Sequence, residues 1–147
     1  MPRTLKALML ATDLGMLAYW TLTALVALGA VALPGEWLFS DYHDPIVVSW
    51  NWSFLPLDLV LSATGLASVA LAAQGDPRWR LTASVSLTLT ACAGLMAIAF
   101  WAIRCDFDLF WWAANLFLLL WPVPFLACLA SGASEAAGAP GGRSWLG

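Results

Sequence analysis

Four polar side chains occupy positions where apolar ones belong, and their spacing sets them at similar depth. Asp58 lies about 8 residues past Trp50 in an otherwise apolar stretch, roughly 12 Å along a helix at 1.5 Å per residue. A carboxylate that far into hydrocarbon costs several kcal/mol unless it is protonated, paired or facing water. Asn51 stands two turns before it on the same helical face, and Pro56 removes a backbone donor and frees the carbonyl of Trp52. Asn115 lies about 7 residues, or 10 Å, past Asp108, and Arg104 ends another apolar stretch with a stem long enough to bring its head inward. Asn51, Asp58, Arg104 and Asn115 are therefore the candidate ligand-binding residues. Asp58 would carry a charge or a proton, and the other three would orient it. The plainer alternative is that Asp58 and Arg104 pair and only fix helix register.

The elements that must position these groups are four apolar blocks, residues 5–33, 46–73, 81–103 and 109–130. About 20 apolar residues match a hydrocarbon core roughly 30 Å thick, and helices satisfy their own backbone hydrogen bonds in lipid. With 62% hydrophobic and 10% charged residues among 147, the chain is expected to be an all-α integral membrane protein. Its four antiparallel transmembrane helices, joined by short loops, would form one bundle over residues 1–130. Residues 131–147, rich in Gly, Ala and Ser, would form a flexible, disordered cytoplasmic tail. A secretory signal peptide is the rival reading of the N-terminus, but the apolar stretch is too long and Asp13 interrupts it.

Lys and Arg set the orientation. Arg3, Lys6, Arg78, Arg80 and Arg143 fall on one side and Arg104 alone on the other, so both termini are expected in the cytoplasm of an inner-membrane protein. Trp37, Trp50, Trp52, Trp111 and Trp112 cluster at the expected outer boundary as an aromatic belt, while Trp20 and Trp121 lie deeper and should face other helices. Ala11 and Gly15, Ser62 and Gly65, and Ser86, Thr90 and Gly94 recur at helical spacing and permit close helix contact. Asp13 is expected at the inner interface, and Pro122 and Pro124 should kink the last helix, freeing the carbonyls of Leu118 and Leu120.

The remaining chemistry is sparse. Glu36, Asp41, His43, Asp44, Asp106 and Asp108 crowd two outer loops, but their spacing matches no metal loop, and solvated acidic loops are the simpler reading. Cys92, Cys105 and Cys128 fall at three depths, which argues for small packing residues rather than a disulfide or a metal set. One His excludes bis-histidine haem ligation, and no hydrolase, zincin or P-loop pattern occurs. No catalytic residue, metal or cofactor is assigned. A net charge of −3 without a basic patch gives no reason to expect nucleic acid.

Three stretches are distinctive: Asp41-Tyr42-His43-Asp44-Pro45 running into Ser49-Trp50-Asn51-Trp52-Ser53-Phe54 and Pro56-Leu57-Asp58; Phe100-Trp101-Ala102-Ile103-Arg104 followed by Asp106-Phe107-Asp108; and Trp111-Trp112 with Asn115-Leu116. From about Asp13 to Pro124 the chain resembles the YvaD-like family of small bacterial four-helix membrane proteins. The resemblance implies a fold and a compartment, and it carries over no catalytic residues because the family has no established activity. The expected partners are the lipid bilayer, a small-molecule ligand, and further copies or other subunits in a homo- or hetero-oligomer. Non-enzymatic binding or transport of a small ligand is the favoured function. A structural or accessory subunit of a membrane complex is the alternative, and a membrane enzyme acting on a lipid comes third.

Overall fold

A computed structural model describes the backbone of residues 1–138 and the side chains of residues 1–131. Six helices follow in order: α1 (Arg3–Ala27), α2 (Pro45–Ser53), α3 (Leu55–Ala73), α4 (Trp79–Ile103), α5 (Leu109–Leu120) and α6 (Pro122–Gly138). Among the described residues there is no strand. Four segments are long and apolar enough to cross a membrane: Arg3–Ala27, Pro45–Ala73, Trp79–Ile103 and Leu109–Ser131.

Prolines account for the split segments. Pro56, in the first turn of α3, cannot donate, so the helix resets at Phe54, whose N–H bonds to Asn51 O at 3.1 Å. Pro122 does the same at Trp121, between α5 and α6. Asp44 and Asp108 begin the second and fourth segments as N-caps, accepting from the N–H groups of Ile46 and Trp111.

The first helix stops at Ala27 although its apolar run continues to Leu33. Gly29 adopts a left-handed backbone (φ 70°), with Ala30 N–H on Leu25 O and Gly29 N–H on Val26 O. That pair of bonds closes the helix in a Schellman turn, which overrides hydrophobicity. Gly75 ends α3 in the same way. Cys105 ends α4 so as well, at φ 54°, where a side chain is strained. At the other end of the sequence, α6 runs to Gly138, past the expected helix end at 130. The rest of the expected flexible tail, including Arg143, lies outside the described residues.

Adjacent segments run antiparallel, as cross-contacts show: Trp20 meets Asp58 while Asp13 meets Gly65, seven residues away in opposite directions. The packing is sequential. Helix α1 lies along α3, α3 along α4, and α4 along both α5 and α6. Helix α4 is the centre because Ala83, Ser86, Leu87, Thr90, Ala93, Gly94, Ala97 and Trp101 give it a buried stripe of mostly small residues. Gly94 touches the α5 backbone so closely that a Cβ would lie 2.6 Å from Asn115 O.

Apolar clusters close both ends of the bundle. At the end that holds the N-terminus, Leu5, Met9, Ala83, Leu87 and Trp121 pack together, with Phe125 and Leu129 against them. At the opposite end, residues 28–44 fold over the helices through a 3-10 turn at Gly35–Trp37. There Leu38 and Phe39 are buried with Val47 and Trp101. Between α3 and α4, Asp76 accepts four hydrogen bonds from Arg78, the shortest 2.7 Å, which holds its carboxyl below the usual carboxylate range.

Candidate functional site

Between the two apolar clusters the sequential packing leaves space. Helices α1 and α5 share no extended contact, and a cavity of ≈ 360 Å³ lies between them, with α2, α3 and α4 as its other walls. Met16, Tyr19 and Trp20 line it from α1, Asn51 from α2 and Asp58 from α3. Ala93 and Ala97 make the α4 wall, while Phe110, Trp111, Ala114, Asn115 and Leu118 make the α5 wall. Trp37 and Leu38 lean in from the folded-over segment, and Trp50 and Phe54 complete the lining. Trp37 and Phe110 are 77% and 85% exposed, which marks the mouth between that segment and the start of α5.

The cavity exists because α4 contributes only methyl groups there. Ala93 and Ala97 cannot reach α1, and Gly94 draws α5 tightly onto α4 rather than toward α1. A wall of small residues opposite large rings leaves volume that neither side fills.

Asp58 and Asn51 supply the polar groups. Asp58 is 5% exposed, and its Oδ2 accepts from Trp20 Nε1 at 2.8 Å. Its Oδ1 has no hydrogen-bond partner among the described residues. Asn51, also 5% exposed, accepts from the Tyr19 hydroxyl at 3.1 Å, while its Nδ2 is likewise unpartnered. Buried polar groups are rarely left so, since each costs about 1–3 kcal/mol. One acceptor and one donor are thus left over at residues lining the same cavity, separated by seven residues, about 10 Å along the helix axis. Asn115 donates from Nδ2 to Trp111 O at 2.8 Å, which binds the amide to its own helix at the cavity wall.

Three of the four residues singled out by depth therefore share one cavity, and the fourth does not. Arg104 lies at the end of α4, bonded to Asp41 Oδ2 at 2.9 Å, with Asp44 Oδ2 at 3.7 Å. Its guanidinium also sits 5.6 Å from the ring centroids of Phe100 and Trp101. The expected Asp58–Arg104 pair does not form. Two nearby carboxylates and two rings hold the arginine at the bundle's end, where it pins the folded-over segment to α4.

Other expectations need correction. Asp13, expected to be solvated at the inner interface, is instead buried between helices: it is 1% exposed, ten residues (about 15 Å) into α1, with its carboxylate against Gly65. Gly65 leaves the room, and Ser62 donates to the Asp13 backbone carbonyl at 3.4 Å. Gly15 faces outward, with nothing within 4 Å of where a Cβ would stand, and the three cysteines are exposed rather than packed. Trp20 and Trp121 are buried, as their depth implied. In the acidic loops His43 meets Glu36 at 3.0 Å, and no group of three His, Cys, Asp or Glu among the described residues could share a metal ion.

Depth counting missed Tyr19 and Trp20, the groups that hold Asn51 and Asp58. Two adjacent hydrogen-bonding aromatics in the middle of an apolar helix were the available signal, since each needs a polar partner once buried.

Residues 5–136 match the model of a family described as "Family of unknown function (DUF5360)". The chain belongs to that family. It is also 41% identical over 127 residues to "Uncharacterized protein YvaD" of Bacillus subtilis (strain 168), covering 86% of this chain and 92% of that protein. The family match includes all the cavity-lining residues and extends beyond residues 13–124, the span of the YvaD-like resemblance. No solved structure matches the chain. For this DUF5360 member, the site itself must carry the functional reading.

Proposed function

We propose that this DUF5360 protein spans the inner membrane four times, with both termini cytoplasmic, and binds a small ligand in the cavity between α1 and α5. The Asp58 carboxylate carries the reading, because it is a buried acid on the wall of a space of ≈ 360 Å³ and one of its oxygens has no partner among the described residues. Asn51 is the second anchor, with Asn115 on the facing wall. Arg104 has no part in the contact and instead holds the segment that covers the mouth. Five of the six basic residues, Arg3, Lys6, Arg78, Arg80 and Arg143, belong to the N-terminal side of the bundle or to the tail. The positive-inside bias supports an outward-facing mouth. The Leu5–Met9–Leu87–Trp121 cluster blocks the inward side, so the geometry favours a binding protein over an open channel.

Filling the cavity tests this reading. Purified protein in nanodiscs should bind the neutral probe 1-aminoanthracene saturably, above the partition into empty discs. Ala97→Phe, on the cavity wall, should abolish the saturable part, whereas outward-facing Ala99→Phe should not. Equal binding by all three proteins would reject the cavity as a site.

A further inference from the structure

Resting on that reading, we infer that the ligand is an elongated organic cation with an apolar or aromatic body, its charge seated on Asp58. Charge, wall chemistry and size point the same way. Asp58 is the acid in the cavity, and among the described residues no Lys, Arg or His side chain lines it; Arg104 is engaged by Asp41 and Asp44. Trp20 satisfies one carboxylate oxygen with a neutral donor, and the other has no partner among the described residues. A buried carboxylate with no basic partner is neutralised most readily by a positive guest.

The walls favour the same guest. Trp20, Trp50, Trp111, Phe54 and Tyr19 border the space, and aromatic faces attract ammonium and pyridinium groups when water is excluded. A bare metal cation fits poorly: hard cations want six or more oxygen ligands, and this lining offers one carboxylate, two amides and a phenol. The volume of ≈ 360 Å³ suits a molecule of drug size rather than a single ion. An anion would meet Asp58 directly. The unpartnered Asn51 Nδ2, about 10 Å nearer the mouth, adds a detail: the guest's far end should carry a hydrogen-bond acceptor. The exposed rings of Trp37 and Phe110 at the mouth would admit an amphiphile from the membrane interface.

Three probes of nearly the same shape separate the possibilities: the cation N-methyl-4-phenylpyridinium, its neutral isostere 4-methylbiphenyl, and the anion biphenyl-4-carboxylate. Equilibrium dialysis against the full chain in nanodiscs should give saturable binding of the cation, at least tenfold tighter than either analogue. Asp58→Asn keeps the shape and an acceptor for Trp20, and should weaken the cation at least tenfold while leaving the neutral probe unchanged. Thermal melting of the variant checks that it is folded. Should it fail that check, lowering the pH on the wild type replaces it. Protonating Asp58 should then weaken the cation while leaving the neutral isostere unchanged, with Tyr19 the other titratable group in the wall. Cation binding no tighter than that of the neutral isostere overturns the charge assignment. If the neutral probe still binds and Ala97→Phe removes it, the cavity reading survives that failure. Saturable binding by no probe overturns both.

Discussion

Replacing Gly94 by alanine should destabilise the bundle, although the same change in an open helix position would help. The added Cβ would stand 2.6 Å from Asn115 O, 2.6 Å from Leu119 N and 3.1 Å from Leu118 C, all backbone atoms of α5. Ordinary contact begins near 3.4 Å, so relief requires about 0.8 Å (3.4 less 2.6) of separation between α4 and α5. No side chain can rotate away instead. Overpacking of this kind costs about 1–3 kcal/mol, and the better helix propensity of alanine returns about 1 kcal/mol. The net expectation is a loss of up to about 2 kcal/mol, and of about 1–3 kcal/mol relative to an unobstructed Gly→Ala change. Gly15 provides the control, because nothing lies within 4 Å of its added Cβ. Gly15→Ala should therefore be neutral or stabilising by up to about 1 kcal/mol. Reversible unfolding in mixed micelles, followed by circular dichroism, measures both. Gly94→Ala also moves the Asn115 carbonyl at the cavity wall, so probe binding should weaken with stability. A Gly94→Ala protein as stable as Gly15→Ala would refute the close α4–α5 approach and the account of how the cavity arises.

Other substitutions test separate parts of the structure. Trp20→Phe removes the donor to Asp58 and should cost about 1–3 kcal/mol in the same unfolding assay; no loss would mean the bond is not made. Cys105→Gly relieves a left-handed residue at the end of α4 and should stabilise by about 1 kcal/mol, read as a higher melting midpoint. Cys105, exposed at the end opposite the N-terminus, should also react with a membrane-impermeant maleimide added to intact cells. Labelling only after lysis would reverse the proposed orientation.

The sequence was sufficient for lengths and depths. Hydrocarbon thickness sets the span of a transmembrane-length helix, so runs of apolar residues mark four segments, and counting from Trp50 or Asp108 places Asp58 and Asn115 along the axis. Prolines likewise betrayed the breaks at Phe54 and Trp121, because a missing N–H acts locally. Rotation about the axis was another matter. A helix intended for lipid is apolar all round, so no hydrophobic stripe tells which face is inside. That is why Gly15 and the three cysteines, expected to pack, turn out exposed although their depths were legible. Partner choice was equally hidden: Asp41 and Asp44 reach Arg104 only once residues 28–44 fold back over the bundle. The cavity belongs entirely to the tertiary level. It forms where the alanines of α4 face the rings of α1 and α5 across a gap, and a missing contact between helices leaves no trace in the chain that omits it.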